Sequence, residues 1–503
     1  MVQATLTLLR NGTLIDGTGA PPAPGDVLLS GERIAEVGPC RAPADAQQID
    51  CTGLAIAPGF IDAHSHSDLQ VLENRPEKLR QGVTTEVVGN CGFSAYPTGP
   101  HPRLLRDFAN GLFCGGDDWG WSSAGDYLAD ARRLARLVNV ESLAGHGSLR
   151  IAVAGNFPGP LPAGQQEAME RLLDESLCAG ACGLSTGLMY APGAGASLDE
   201  LERLCRVVKK RDRIHVSHMR NYGARLVEAV REVLELARRT GCRSHISHFQ
   251  AAGAANWRLF DPALEEIEKA RQEGMDIAFD CYPYTAGSTV LTQLLPQWSL
   301  GNGIQGLLER LSDARERARI AAETESALPG DWTDFHISAV GSDRNRALIG
   351  KSIAAIAAAR GTSPAEAVLD LLREESGEVN MVEFNQSEEI MRRTITHPLC
   401  NVTSDGFYVK GRAHPRLYGT FPFLLGELCR NRGWLGLPEA IRKITDLPAR
   451  RFGMAQRGRL ERGYFADLAV FDPAAISSRA GYENPDVPPE GIRFVFRKGE
   501  RVL

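Results

Sequence analysis

The sequence predicts an α/β protein, a distorted TIM (β/α)8 barrel that carries a small β-sandwich-like domain built from both ends of the chain. The middle of the chain alternates short strands with amphipathic helices, a rhythm typical of a parallel barrel. Both ends instead show strands separated by turn residues, without helical periodicity. Side chains of metal-ligand type also stand where several barrel strands are predicted to end.

The two chain ends are predicted to join in one small β domain, residues 1–58 and 455–503. An Asn-Gly pair between two apolar runs marks a hairpin in residues 6–15. A second hairpin pattern follows in residues 26–37, and matching strand runs occupy residues 467–496. The first strand pattern begins at the start of the sequence, and no basic and then apolar segment of the kind found in secretory signal peptides precedes it.

Residues 59–454 are predicted to form the barrel. Helix-like segments at 198–209 and 226–239 each precede a strand that ends in His. Between residues 291 and 341 the alternation weakens, which predicts an insertion that forms a lid. The other elements are strands at 138–143, 183–186 and 275–280 and a helix at 165–179.

Length and composition argue against some classes of binding partner and cellular location. The 503 residues exceed one simple domain but suit a barrel with an accessory domain. The net charge is −6 with scattered Lys and Arg, which argues against nucleic-acid binding, and no apolar run reaches the length of a membrane span. The eleven cysteines lack framework spacing and are expected to be mostly reduced. We expect a cytoplasmic protein with a small-molecule substrate; the sequence does not indicate its oligomeric state.

His64 and His66 end an extended run at residues 59–66, GFIDAHSH. Two positions apart on extended backbone, their side chains face the same way, so both imidazoles can reach one ion. Residues 56–61 before them form a short apolar strand of the buried kind, which places the pair at the barrel rim. We therefore predict metal ligands rather than surface or core histidines.

His218 and His248 close two copies of one short pattern, HVSH and HISH, one strand–helix unit apart. The two histidines within each pattern are three positions apart, so a strand sends them to opposite faces. The later one of each pair is the predicted metal ligand, because the carboxyl end of a barrel carries its active site. His215 and His245 remain the alternative pair.

Cys91 follows a β-branched strand and stands beside a glycine, in the run VGNCG. Most cysteines of such a chain are expected to be buried and structural. The strand-end position of Cys91, next to the strand of His64, favours a ligand instead. Two imidazoles and one thiolate leave an open position for water, as catalytic zinc requires.

Asp405 ends a short strand in the run NVTSDG. An Asp before Gly is a common turn former, and that reading remains open for this residue alone. Beside a metal ion, however, a carboxylate can take a proton from water and later deliver it to a leaving group. Asp405 is therefore the predicted catalytic residue.

These motifs carry a family resemblance over nearly the whole chain, weakest at residues 291–341. The run at 59–66 resembles the amidohydrolase superfamily. The others resemble the N-acyl-D-amino acid deacylases, also called D-aminoacylases. They are VGNCG at 88–92, HMRN at 218–221, SHF at 247–249, DCYPY at 280–284, SDG at 404–406, HPRLYGTF at 414–421 and RGYFADL at 462–468.

The resemblance implies hydrolysis of the amide bond of an N-acyl-D-amino acid to a carboxylate and a free amine. It implies that zinc is the cofactor and that one ion is bound tightly by Cys91, His218 and His248. It also implies that His64 and His66 form a second, weaker metal position. The acyl oxygen is then polarised by zinc.

By the same resemblance, Asp405 acts as general base on water and then as general acid on the leaving amine. Tyr282, Ser288 and Arg416 match residues that hold the substrate carboxylate. Gln250 stands where such enzymes have Lys, so a neutral amide replaces a charge-assisted contact that is roughly twice as strong. A second departure is Tyr222, at a position where related chains usually have Glu.

Three other functions stay open at this point. Gln250 is compatible with an amidohydrolase that acts on a different amide, a cyclic amide or a carbamoyl compound, since the fold does not fix the substrate. An inactive homologue that only binds ligands is a remote alternative. A Ser or Cys hydrolase is a third, but residues 183–187, GLSTG, do not match the nucleophile elbow.

Overall fold

The computed structural model describes residues 6–41, 43–115, 118–328 and 330–503, so the first five residues of the predicted terminal domain lie outside it. The strands form two eight-stranded sheets and one three-stranded sheet. In chain order they are β1 Leu6–Leu14, β2 Ala23–Ser30, β3 Arg33–Gly38, β4 Gln47–Asp50, β5 Ala55–Pro58, β6 Phe60–Asp62, β7 Val83–Val88, β8 Asn139–Gly145, β9 Gly183–Gly187, β10 Ile214–His218, β11 Arg243–Ile246, β12 Ile277–Cys281, β13 Gly287–Val290, β14 Phe335–Val340, β15 Val379–Glu383, β16 Cys400–Val402, β17 Leu468–Phe471, β18 Ile492–Arg497 and β19 Glu500–Arg501.

The helices lie mostly between barrel strands, as the alternation predicts. Several begin at residues that commonly cap helices; Ser197 Oγ, for example, accepts a hydrogen bond from the backbone amide of Glu200. None of the helices in the described ranges is long and apolar enough to span a bilayer. The α-helices are Gln70–Glu73, Pro102–Ala109, Ala124–Leu134, His146–Ala154, Ala163–Ala179, Leu198–Lys210, Leu226–Thr240, Phe260–Gln272, Gly303–Ser312, Ala314–Ala327, Ile353–Arg360, Pro364–Glu374, Glu388–Thr396, Arg416–Phe423, Leu437–Lys443 and Asp446–Arg451, and Leu424–Asn431 is a π-helix.

Strands from both chain ends share one sheet, in the order β19-β18-β17-β5-β1-β2-β3, with β4 beside β1. The antiparallel pair β5–β17 is the seam that joins the two ends. Apolar side chains from both sides of this seam, such as Ile56 and Val470, pack in one cluster. The exact division at residues 58, 59, 454 and 455 stays a prediction.

Eight parallel strands form the barrel, in the order β16-β12-β11-β10-β9-β8-β7-β6, which confirms the predicted distorted TIM barrel. The first and last strands meet only beyond their carboxyl ends. There the amide of Asp405 donates to the carbonyl of His64 at 2.8 Å, and the amide of His66 donates to that of Gly406 at 3.0 Å. The barrel is therefore closed at the end where the active site is expected.

One predicted strand is two strands in the structure. Residues 56–61 were expected to form a single barrel strand, but β5 belongs to the terminal sheet and β6 to the barrel. The change of sheet occurs at Gly59, where a Cβ would lie 2.2 Å from Thr84 Oγ1. Only glycine allows the backbone to approach β7 this closely.

Along the chain, a separate small sheet is inserted between the last two barrel strands, β12 and β16, which pair directly with each other. Strands β13, β15 and β14 pair antiparallel, and their flanking helices bury a cluster that includes Leu307 and Met381. The predicted insertion at 291–341 lies within this unit, which extends further in both directions. Its role as a lid stays a prediction.

A buried ion pair lies directly below the closure of the barrel. Lys78 Nζ contacts Asp62 Oδ2 and Ser404 Oγ. Asp62 Oδ1 accepts from the amide of Ser404 at 2.9 Å, and Lys78 and Asp62 are almost completely buried. This contact ties the end of β6 to the end of β16.

Replacing Lys78 by Met should lower the free energy of unfolding by about 3–5 kcal/mol, because the Asp62 carboxylate would stay buried without a cation to balance its charge. Urea denaturation followed by tryptophan fluorescence measures the change. The double variant Lys78→Met/Asp62→Asn should lose less, since the charge of Asp62 is removed together with that of Lys78. Lys210→Met, on the surface, is the control. A loss below about 1 kcal/mol for Lys78→Met would contradict the role of the pair.

Candidate metal centre and active site

The predicted metal ligands and the predicted catalytic residue all lie at the carboxyl end of the barrel and are buried. Each follows or ends a barrel strand, and each strand is flanked by apolar residues that fix its position. His64 and His66 follow β6, Cys91 follows β7, His218 ends β10, His248 follows β11 and Asp405 follows β16.

Three of these residues have left-handed backbone conformations. The φ angles are +55° at Cys91, +34° at His248 and +50° at Asp405. Positive φ is uncommon for residues other than glycine, and such strain occurs preferentially at functional sites. Each of these turns ends a strand abruptly, which brings its side chain to the mouth of the barrel.

Two groups of three potential ligand atoms lie within 4.8 Å of one another, one from His64, Cys91 and His248 and one from His64, His66 and Asp405. Cys91 Sγ is 3.3 Å from His64 Nε2 and 3.7 Å from His248 Nε2. Asp405 Oδ1 is 3.3 Å from His64 Nε2 and 3.2 Å from His66 Nε2. His64 is common to both groups, so the predicted division into a tight and a weaker metal position stays a prediction.

His218 stands beside the first group, with Nδ1 3.0 Å from Nε2 of His248. The alternative pair makes other contacts. His215 Nε2 lies 3.1 Å from Thr186 Oγ1, and His245 Nε2 lies 3.1 Å from a carboxylate below the site. The geometry thus favours the later histidine of each sequence pattern as the one available to an ion.

The donor set fits a metal ion. Nitrogen and sulfur donors converge there: His248 Nε2 lies 3.0 Å from His218 Nδ1 and 3.7 Å from Cys91 Sγ, and His66 Nε2 lies 3.2 Å from Asp405 Oδ1. Burial raises the pKa of the Cys91 thiol, but the charge of His64 and hydrogen bonds from His218 and His248 hold it well below its usual range. A thiolate among imidazoles is a donor set that zinc prefers.

Asp280 orients the ligands from below and was not predicted as a site residue. Its Oδ2 accepts from His64 Nδ1 at 3.2 Å and from His245 Nε2 at 3.1 Å. Its Oδ1 accepts from the backbone amide of His248 at 2.6 Å. Burial raises the pKa of Asp280, but His64 and His245 lower it more, so the carboxylate is ionised. Its position near the end of a buried strand was the available signal.

Tyr222, whose role the sequence did not explain, supports two of the histidines. Its ring centroid lies 5.1 Å from that of His218 and 5.0 Å from that of His248. Its hydroxyl accepts from the amide of Met219 and donates to the carbonyl of Ser247. The side chain therefore fixes the ends of β10 and the following β11 segment against each other.

Arg416 connects the predicted catalytic residue with the predicted substrate residues. Its Nη1 is 3.0 Å from Asp405 Oδ2, and its Nη2 donates to the carbonyl of Ser288 at 3.0 Å. Its guanidinium carbon lies 4.5 Å from the ring centroid of Tyr282. The Ser288 hydroxyl points elsewhere and donates to the carbonyl of Met381.

Tyr282 continues this chain of contacts. Its hydroxyl donates to Gln250 Oε1 at 3.2 Å and accepts from Gln386 Nε2 at 2.6 Å. The structure therefore brings together all four predicted substrate residues, although Ser288 contributes through its backbone. Gln386 was not predicted, because it comes from the segment after β15, where the sequence carries no recognisable motif.

Comparison with known proteins gives consistent results. The model of the amidohydrolase family matches residues 47–502. The chain is 36% identical to an N-acyl-D-glutamate deacylase of Alcaligenes xylosoxydans xylosoxydans over 495 residues, which cover 98% of this chain and 92% of that protein.

Two solved structures match over 99% of this chain and 96% of theirs. One is an N-acyl-D-glutamate deacylase from Bordetella bronchiseptica in complex with zinc and a phosphonate that mimics the tetrahedral intermediate, with a TM-score of 0.85 and 34% identity. The other is a D-aminoacylase with a binuclear metal centre, with a TM-score of 0.83 and 33% identity. In that enzyme one metal activates and the second attenuates.

Replacing Asp280 by Asn should weaken zinc binding by about 10- to 100-fold, because the amide cannot serve His64, His245 and the His248 backbone as the carboxylate does. Competition with a chromogenic zinc chelator measures the affinity. Asp212→Asn, at a fully exposed aspartate, is the matched control and should bind zinc as the unmodified protein does. Equal affinity in both variants would rule out a supporting role for Asp280.

Proposed function

Because the chain belongs to the amidohydrolase family, and within it to the N-acyl-D-amino acid deacylases, we propose that it hydrolyses N-acyl-D-amino acids to a carboxylate and a free D-amino acid. One observation carries this proposal. Asp405 faces His64 and His66 with one carboxylate oxygen and Arg416 with the other. A proton carrier thus lies between a metal-binding group and a cation suited to a substrate carboxylate.

The proposed cofactor is zinc, as in the related N-acyl-D-glutamate deacylase. Cys91, His218 and His248 would hold the tight ion, and His64 and His66 would hold the second, weaker one. When bound, zinc would polarise the acyl oxygen and lower the pKa of water. The convergence of Cys91 Sγ and His218 Nδ1 on His248 Nε2 and the thiolate character of Cys91 support this assignment.

Asp405 is the proposed general base and general acid. Burial raises its pKa, but Arg416 and His64 hold it well below the usual range, so the carboxylate is ionised before reaction. Oδ1 would accept the proton of the attacking water, since Oδ2 is engaged by Arg416. The same oxygen would then deliver the proton to the leaving amine, which reloads the base for the next turnover.

Arg416 is the proposed anchor for the substrate carboxylate. Its Nε lacks a partner in the described structure, and Tyr282 stacks on its guanidinium. Ser288 and Gln250 complete this side of the site, Gln250 through its bond to the Tyr282 hydroxyl. Hydrolysis of another amide, a cyclic amide or a carbamoyl compound is a second candidate function, which the neutral Gln250 favours.

We also propose that the protein works in the cytoplasm on a small-molecule substrate. All eleven cysteines are free thiols, which suits a reducing compartment. The proposed organisation is a terminal β domain of residues 1–58 and 455–503 on a barrel of residues 59–454. The insertion at 291–341 is the proposed lid.

Replacing Asp405 by Asn should reduce turnover of N-acetyl-D-amino acids by about 10²- to 10⁴-fold, because no group remains to accept the proton of water. Initial rates and zinc content are measured together, and zinc content should change little. The control is Asp343→Asn, which makes the same substitution at an exposed aspartate that is not among the site residues. Unchanged turnover in Asp405→Asn would exclude it as the proton carrier.

Removal of the metal should abolish hydrolysis. Dialysis against 1,10-phenanthroline should lower the rate of hydrolysis at least about tenfold, because the metal activates the attacking water, and added zinc chloride should restore the rate. The measurement is the rate before and after each step. Full activity after chelation would instead indicate a nucleophilic Ser or Cys hydrolase.

A further inference from the structure

A carboxyl group outside the proposed machinery lies beside the substrate residues. Glu383 is the last residue of β15 and pairs with Gly287 of β13, the neighbour of Ser288. A Cβ on Gly287 would lie 2.7 Å from Glu383 Oε1, so the carboxyl group lies over the glycine. The absence of a side chain at Gly287 therefore makes the room that this carboxyl group occupies.

In the described part of the chain, the Glu383 carboxyl group is not ion-paired. Among the residues that the structure describes, no Lys, Arg or His forms an ion pair with it, and its one hydrogen bond is from Asn385 Nδ2 to Oε2 at 3.1 Å. Oε1 is left available. Burial raises the pKa of Glu383 to about 7, against the opposing influence of Arg416, Asn385 and His248. The side chain is half-buried, so solvent or a ligand can still reach it.

Strand pairing places Glu383 near the active site, because its partner Gly287 directly precedes Ser288, whose carbonyl accepts a hydrogen bond from Arg416. Arg416 is the proposed anchor for the substrate carboxylate, and His248 is a proposed metal ligand. Glu383 also raises the pKa of Tyr282, whose ring stacks on Arg416. The carboxyl group is therefore near the position that the amino-acid half of a bound substrate would occupy.

The side chains that hydrogen-bond to the nearby Tyr282 hydroxyl are neutral. Gln386 donates to the Tyr282 hydroxyl, and Gln250 accepts from it. Gln250 stands in place of the Lys that the family resemblance leads one to expect, which removes one positive charge, and Glu383 adds a negative one. Both features make the charge of the site more negative, which disfavours acidic substrates.

We propose that Glu383 binds a cationic group on the amino-acid half of the substrate, so that the enzyme prefers N-acyl derivatives of basic D-amino acids, with an ammonium or guanidinium side chain. This inference rests on the proposed function. A side-chain cation would supply the partner that Glu383 lacks, while the substrate carboxylate stays on Arg416. An acidic side chain would meet a like charge, which selects against it.

The test compares two substrates that differ mainly in the charged group, Nα-acetyl-D-lysine and N-acetyl-D-norleucine. For the zinc-loaded enzyme, kcat/KM should be about 10-fold or more higher for the lysine derivative, as a charge-assisted bond predicts. Glu383→Gln should remove this preference mainly through KM and leave the norleucine derivative nearly unchanged. Glu383→Asp, which keeps the charge, should retain part of it.

Glu378→Gln is the matched control, because Glu378 precedes the opposite end of β15 and bonds to Asn110. It should behave as the unmodified enzyme. Equal kcat/KM for both substrates in the unmodified enzyme, or an equal loss for both in Glu383→Gln, would overturn the role of Glu383 while leaving the proposed function intact.

A binding measurement separates this inference from the proposed reaction. In Asp405→Asn protein loaded with zinc, calorimetry should show tighter binding of Nα-acetyl-D-lysine than of N-acetyl-D-norleucine, and the added change Glu383→Gln should abolish the difference. Equal affinities would refute the assignment of Glu383. Tighter binding of the lysine derivative without any hydrolysis by the unmodified enzyme would instead refute the deacylase function and uphold the cation site.

Discussion

The closure of the barrel between its first and last strands is the constraint on which the site depends. Backbone bonds join His64 to Asp405 and His66 to Gly406, and the buried contact of Lys78 with Asp62 and Ser404 holds them from below. Residues far apart in the chain thereby become neighbours at fixed distances. The proposed proton carrier and two proposed ligands are positioned by this one seam.

Support for the site is supplied largely by groups that do not face the barrel mouth. Asp280 accepts hydrogen bonds from two imidazoles and one amide, and Tyr222 packs on two histidine rings. Such partners fix the orientation of a ligand and its tautomer. The left-handed turn at His248 is held by the bond from its amide to Asp280, and the turn at Asp405 by the bond from its amide to the carbonyl of His64.

Much of this arrangement could be predicted from the sequence, since barrel strands bring their carboxyl ends to one rim. That rule was enough to select Cys91 as a site residue, whereas for Asp405 alone it left the turn-former interpretation open. It could not find Asp280 as a support, because the histidines that contact it come from other strands. Nor could it find Glu383, which reaches the site from an inserted sheet, or the break at Gly59, which depends on a close approach to Thr84.

The seam between β5 and β17 has a consequence for synthesis of the chain. Strand β5 pairs with a strand that the ribosome makes only after all the barrel strands, so one edge of β5 stays unpaired while the barrel emerges. An apolar strand with an open edge is prone to pair with other chains. In nascent copies of this protein that edge of β5 is therefore open to other chains until β17 has been made.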